Sequence, residues 1–404
     1  MFNLFSLKGG ISNVKGFFCD GVNVGMKTNP ANSGVSDDID GDVAFIRSET
    51  LCDISARFTN NKFQAAPIKH YQKYPDNFQT NFILMNAKNA NAMTGAKGVE
   101  DIESLFEELG THIPLHNPIM SSTGVIGYRL NQEKIATAFE KFDFDAKNSE
   151  KTARAIMTTD QFKKELSFQV DLDDGESFTI AGICKGAGMI NPAMATMLCF
   201  ITTDADIPKE DMEELLTEAT EGSFNRISVD GDTSTNDTIM LLANKLSGSY
   251  NKEAFRVALK KITFELAMMI LRDGEGANKL VAFEVKGAKN EAQAKKASMA
   301  LSNSLLVKTA LFGEDPNWGR IAATIGASGV ECDDRTLTIH YDKLLIYSNE
   351  QRELDKERED KAYEIMKNDS FHITCDLGIG EGEFTSYGCD LSYEYVKINA
   401  EYRT

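Results

Sequence analysis

Cysteine, histidine and tryptophan are scarce in this 404-residue chain, at seven, five and one. The cysteines, at positions 19, 52, 184, 199, 332, 375 and 389, form no Cys-x-x-Cys pair and no Cys/His cluster, so neither a zinc site nor a disulfide framework is signalled. An odd number of scattered thiols fits a reducing compartment. The histidines, His70, His112, His116, His340 and His372, stand in no Ser/His or Cys/His motif. Apolar runs are short: the best, Met194–Ile201 and Phe264–Leu271, fall well below the ~18 residues a spanning helix needs and are expected to be core elements of a soluble chain. Residues Met1–Lys8 bring their positive charge only after the apolar residues and lack a small-residue cleavage site, unlike a secretory signal, so the expected location is the cytoplasm. Basic residues are the minority, 43 against 61 acidic, and the resulting charge of −18 repels phosphate backbones and anionic lipid. Nucleic-acid and membrane partners are therefore not expected.

Hydrophobic residues at 42% and charged residues at 26% are ordinary globular usage, which excludes wholesale disorder and fibrous repeats. At roughly 150 residues per domain the length suggests two or three domains. With no low-complexity linker to mark a boundary, we place it near 286, giving a catalytic core of 1–285 and a C-terminal domain of 286–404. The first 120 residues read as short strands broken by Gly, Asn and Pro, with an acidic helix near Gly98–Leu109. Leu166, Phe168, Val170 and Leu172 alternate with polar neighbours, Asp173–Gly175 supply a turn, and Phe178, Ile180 and Ile183 resume the pattern, which predicts a hairpin. Helices are expected over Pro208–Ala219, Lys252–Arg272 and Glu291 to about Val307, with strands predominating after that, interrupted by a solvated helix in Asn349–Lys367.

Several motifs fail on spacing. Gly186-Ala-Gly188 follows a strand but continues Met-Ile-Asn-Pro instead of supplying a third glycine, so a dinucleotide fingerprint is not expected. Gly274-Glu-Gly276 lacks the spacing and the Gly-Lys-Ser/Thr of a phosphate loop. Asp230-Gly-Asp232-Thr-Ser234 starts like a calcium loop, yet Thr235 stands where the sharp-turn Gly belongs and Leu241 where the bidentate Glu belongs. No metal and no organic cofactor is indicated.

Without a histidine base, a nucleophilic hydroxyl needs another proton acceptor, and one solution is a Thr whose own α-amine serves after the chain is cut in front of it. An α-amine of pKa ~7.7–8 is partly neutral at cytoplasmic pH and can take the hydroxyl proton. Ala195-Thr196 suits such a cut, with a small residue on the leaving side and Asn191-Pro192 upstream to fix a bend; read from the residues alone, a Thr in an apolar run is an ordinary strand residue.

The segment Lys185-Gly-Ala-Gly-Met-Ile-Asn-Pro-Ala-Met-Ala-Thr-Met-Leu-Cys-Phe-Ile-Thr-Thr-Asp204 resembles the self-cleavage region of the ornithine acetyltransferases, also called glutamate N-acetyltransferases. Ser122–Gly127, Ala155–Asp160, Val229–Asp237, Asp273–Ala277, Gly313–Arg320 and Asp390–Thr404 match the same family in order, so the resemblance runs from about Gly16 to the last residue. The chain departs from it at Asn86–Met93, where Lys88 stands in place of a Gly; a requirement for positive φ there would give this loop a different local geometry.

The resemblance implies an α/β fold of layered sheets flanked by helices, similar to N-terminal-nucleophile hydrolases but differently connected, with a smaller C-terminal α/β domain. It implies autoproteolysis between Ala195 and Thr196 into chains 1–195 and 196–404, assembled two and two. Thr196 would then carry the acetyl group from N2-acetyl-ornithine to glutamate in ping-pong fashion, in the cyclic route of arginine biosynthesis, with acetyl-CoA a second donor if the enzyme is bifunctional. Thr123 and Gly124 match the oxyanion pair. Thr158 (beside Thr159), Lys185, Glu275, Asn399 and Thr404 match substrate contacts, Lys185 toward the α-carboxylate and Glu275 toward the cationic amino end. Read without the family, Ser121–Gly124 is a turn before a strand Val125–Leu130, Lys185 a surface lysine and Glu275 a loop acid. The alternation Leu391, Tyr393, Tyr395 followed by Val396 and Ile398 predicts a packed tail. Gly313–Arg320 is expected to be architectural, a turn anchored by Trp318. The competing functions are a related self-cleaving aminopeptidase or amidase, resolved by water instead of glutamate, and an uncut metabolite-binding protein.

Overall fold

The computed structural model describes residues 2–27, 41–191 and 197–401, which divide into two compact units. The first comprises Met1–Gly186, Ala193–Asn225 and Thr233–Ile270; the second comprises Ala187–Pro192, Arg226–Asp232 and Leu271–Thr404. Where the sequence suggested a crossing near 286, contacts place the main passage at Leu271, after two short excursions.

Among the described residues, nine strands form the sheet of the first unit. Eight run side by side in the order Phe2–Leu7, Lys164–Leu172, Ser177–Lys185, Leu198–Thr203, Thr238–Ala243, Val43–Phe58, Gln79–Asn86 and Ile119–Ser122, and Phe17–Val22 pairs with Val43–Phe58. The expected hairpin is present, with Asp171 opposite Ser177 and Gly175 at φ +85° in the turn. Alternate residues feed two cores: Ala44, Ile46, Ile83, Met85 and Ile119 enter one cluster, Val43, Phe45, Phe82, Leu84 and Met120 another. Helices cover both faces, Ser149–Ala155 through Ala153 and Ala155, Gly95–Leu109 and Gln132–Lys141 through Ile102, Leu105, Ile135 and Phe139. A sheet buried on both sides needs apolar residues at consecutive positions, which explains the unbroken runs Leu198–Ile201 and Ile239–Ala243. The helix Lys252–Arg272 lies over Gly182, where a Cβ would come within 3.0 Å of Leu266.

In the second unit, six strands of the described chain run in the order Leu344–Tyr347, Thr338–Tyr341, Ser370–Asp376, Leu280–Ala288, Gly382–Cys389 and Ile227–Ser228. Val281, Phe283, Ile339 and Ile373 pack under Ala294, Leu301, Leu311 and Ile325 of the covering helices. The whole is α/β, as expected.

Three expectations are corrected. The helix from Glu291 is two helices, Glu291–Asn303 and Leu305–Phe312, because Ser304 takes extended geometry (ψ 113°) and its hydroxyl caps the second. The strand foreseen at Val125–Leu130 instead precedes the turn, as Ile119–Ser122, and Val125 makes only an isolated bridge. The tail, expected to be packed, is the helix Tyr393–Ala400, in which no residue is buried. Tyr393 and Val396 are largely exposed, so its attachment is polar: the Ser392 hydroxyl donates to Gly276 O at 2.6 Å. Trp318 does anchor its segment, stacking on Tyr347 at 4.4 Å between centroids at the start of helix Trp318–Ala327.

Candidate active site

Sheet register places Lys185, Leu198, Thr238 and Phe58 in one cross-strand row. Lys185, at the end of its strand, is 3% exposed and donates from Nζ to Thr158 Oγ1 at 2.7 Å. Of the two adjacent threonines it is Thr158 that meets the lysine. Both are organised by Asp160. Its Oδ1 accepts from Gly186 N at 2.7 Å and from Lys164 Nζ at 2.7 Å; its Oδ2 accepts from Thr158 N at 3.0 Å and stands 3.8 Å from Lys185 Nζ. Burial by itself would raise the Asp160 carboxyl, but the charges of Lys185 and Lys164 and these hydrogen bonds outweigh it and hold the group well below the usual carboxylate range. The outcome is a buried lysine set between the Thr158 hydroxyl and the Asp160 carboxylate.

Thr238 leads back to Asp237, which is fully buried. Its Oδ1 accepts from the Met197 N–H at 3.2 Å, and Thr238 N donates to Met197 O at 3.0 Å, so the chain just beyond residue 196 is pinned on both sides of one residue. Burial pushes the Asp237 carboxyl well above the ordinary range, with the Met197 N–H and the Lys185 charge pulling the other way.

Thr123 and Gly124 follow the strand Ile119–Ser122 and lie against the loop 86–91. The N–H groups flanking Gly124 are committed to that loop, Thr123 N to Asn86 O at 3.0 Å and Val125 N to Lys88 O at 3.2 Å. Gly124 has φ +134°, and a Cβ there would stand 2.1 Å from Lys88 C and 2.4 Å from Asn89 N, so only glycine fits. The substitution noted at Lys88 leaves its backbone in the left-handed region, at φ +68°; the loop accommodates lysine in the conformation a glycine would take.

In the second unit Glu275 is 7% exposed. Its N–H donates to Ala187 O at 2.9 Å, and its Oε2 accepts from Asn399 Nδ2 at 2.7 Å. Gly188 lets the carboxylate lie against the backbone, since a Cβ there would be 2.5 Å from Glu275 Oε1. The tail helix that brings Asn399 is close-packed at Gly276, where a Cβ would meet Tyr395 N at 2.5 Å, and the Tyr395 hydroxyl donates to Asp230 at 3.3 Å. Asp230 also accepts from Met189 N at 2.7 Å and Ile190 N at 3.0 Å, which employs the would-be calcium ligand in holding a loop. Among the described residues no three Cys, His, Asp or Glu stand together as a metal-holding group.

The sequence matches the ArgJ family over residues 27–404. The chain belongs to the ArgJ family. It is 56% identical to the "Arginine biosynthesis bifunctional protein ArgJ" of Wolinella succinogenes over all of both chains. It is 42% identical to the "Glutamate N-acetyltransferase" of Methanocaldococcus jannaschii, over 98% of this chain and 99% of that one. Among solved structures, it is similar to the Arginine biosynthesis bifunctional protein argJ from Bacillus halodurans, at 40% identity and a TM-score of 0.47, covering 50% of this chain and 97% of that one.

Of the positions the resemblance singled out in this ArgJ chain, the structure joins Thr158 to Lys185 and Glu275 to Asn399, and seats Thr123 and Gly124 on one tight loop. Ala195, Thr196 and Thr404 lie outside the described residues. Sequence reasoning passed over Asp160, Lys164, Asn236 and Asp237. Asp160 and the Asn236-Asp237 pair stood within matched motifs without a role; the usable signal was polar residues directly beside strands with no alternation to carry them to solvent.

Proposed function

We propose that this chain transfers the acetyl group of N2-acetyl-L-ornithine to L-glutamate, within arginine biosynthesis, through an acetyl ester on Thr196. The observation that carries the proposal is the match, along nearly the whole chain, to a relative named Glutamate N-acetyltransferase. Scission between Ala195 and Thr196 frees the Thr196 amine. That amine takes the hydroxyl proton as the oxygen attacks the acetyl carbonyl, and the charge arriving on the carbonyl oxygen is met by the Thr123 hydroxyl and the Gly124 N–H. Fixed donors of this kind are worth roughly 3–4 kcal/mol each. Collapse breaks the C–N bond, the proton passes to the departing ornithine amine, and glutamate's amine attacks the ester to release N-acetylglutamate and restore the hydroxyl. One amide replaces another, so the transfer requires no nucleotide, metal or organic cofactor. The rigid Lys185–Asp160 arrangement supports a substrate α-carboxylate at Lys185; Glu275, with Asn399 and Thr404, takes the cationic end by resemblance.

The word "bifunctional" in the name of the Wolinella relative supports acetyl-CoA as a second donor. Two copies of each cleaved chain form the assembly by resemblance, and sedimentation gives its mass.

The test is Thr196→Ala with intact-mass spectrometry and an acetyl-ornithine/glutamate assay, with and without acetyl-CoA. Wild type is expected as two chains, and the variant as one chain without transferase activity. A fully active alanine variant, an uncut active wild type, or acetate release independent of glutamate would each overturn the proposal.

A further inference from the structure

The side chain of Asn236 connects the two stretches of backbone that make the proposed oxyanion loop. It is 6% exposed, and its Nδ2 donates to Ser122 O at 2.8 Å and to Ala90 O at 2.6 Å. Ser122 is the residue before Thr123; Ala90 belongs to the loop against which Gly124 is pressed, and Ala90 N itself donates to Val125 O at 3.1 Å. The orientation of the amide is set from the other side, because the Thr235 hydroxyl donates to Asn236 Oδ1 at 2.7 Å, which turns the two N–H groups toward the two carbonyls. An amide is the side chain that satisfies this demand without charge: two donors in one plane for two buried carbonyls, and one acceptor for a hydroxyl. The backbone that carries it is held too, by Asn236 N to Ser234 Oγ at 3.1 Å and Ala65 N to Thr235 O at 2.9 Å. One residue later, Asp237 binds the Met197 N–H. Consecutive side chains thus fix the loop carrying Thr123 and Gly124 and the residue that follows Thr196 in the chain.

We infer that Asn236 is a positioning residue for acetyl transfer, holding the Thr123–Gly124 loop in the geometry that receives the oxyanion. The inference rests on the proposed roles of Thr123, Gly124 and Thr196. A donor pair that works only on the developing oxyanion stabilises the transition state and not the bound substrate, so loosening it lowers kcat and leaves KM in place. Misplacement by about 1 Å is enough for a change of the order of 100-fold.

The experiment compares Asn236→Asp, which keeps shape but removes the two N–H donors, with Thr235→Val, which keeps Asn236 but removes the hydroxyl that orients it. Both are measured beside wild type and Thr196→Ala, with kcat counted per cleaved chain by intact mass and thermal melting followed in parallel. The expected result is a kcat about 10- to 100-fold lower in N236D and about 3- to 10-fold lower in T235V, with KM for acetyl-ornithine within about threefold of wild type. Wild-type kcat in both variants, or a loss confined to KM, overturns the inference while T196A remains inactive. If N236D fails to fold, T235V decides alone by the same criterion. An active T196A removes the parent proposal instead.

Discussion

The two groups of residues assigned to substrate differ in how they are held. In the first unit Lys185 is fixed by a buried carboxylate that serves two lysines and two backbone amides, on strands in the interior of a sheet. In the second, Glu275 is held by an amide on a terminal helix whose apolar residues largely face solvent. The contrast teaches where rigidity resides. A charge embedded among charges is tied to the stability of the fold, whereas one reached by the amide of an exposed residue on a peripheral helix can be altered with little cost to folding.

Asp160→Asn should have the largest effect, because it leaves two buried lysines without their carboxylate. Breaking such a pair costs about 3–5 kcal/mol, a fall in Tm of roughly 10 °C in a unit of this size. The sign with pH follows from the depressed carboxyl. Its contribution is present above the unfolded value of ~3.9 and is lost as pH falls through the lower folded value, so wild type and variant should converge in denaturation measured from pH 4 downward. Equal stability at pH 7 would remove the distinction between the two regions. Lys185→Ala should still be cut but bind weakly. Loss of a hydrogen bond to a charged group, about 1.5–3 kcal/mol, corresponds to a KM for acetyl-ornithine roughly 10- to 100-fold higher. Smallest is Asn399→Ala: the donor sits on an exposed residue, so about 1 kcal/mol is at stake, KM should rise about threefold to fivefold and Tm should hold within about 4 °C. A Tm loss as large as that of Asp160→Asn would show the tail to be as integral as the sheet.

Much of this was legible in the chain. The 164–185 hairpin announced itself by strict alternation and an Asp-Asp-Gly turn, and the 252–272 helix by its period. Strands buried on both faces were visible only as apolar runs, which helices produce as well. The tail misled because tyrosines two apart imitate a strand when their real attachment is polar, through Tyr395 and Asn399. The Ser304 break was hidden because serine caps a helix as readily as it sits within one, and only the ψ of 113° distinguishes the two. The site followed a similar rule. Residues that would touch substrate came from motif likeness, but Asp160 and Asn236 hold other protein groups in place, and that role depends on partners tens of residues away: Gly186 for one, Ser122 and Ala90 for the other.

The order of the nine-stranded sheet has a mechanical consequence for a chain cut after residue 195. Leu198–Thr203 and Thr238–Ala243, both from the downstream product, lie between Ser177–Lys185 and Val43–Phe58, both from the upstream product. The two polypeptides would be interleaved like the fingers of clasped hands, and pulling them apart would mean tearing ladders on two sides at once. Severing the peptide bond therefore liberates an end without liberating a subunit, and the products should travel as one particle until denaturant opens the sheet.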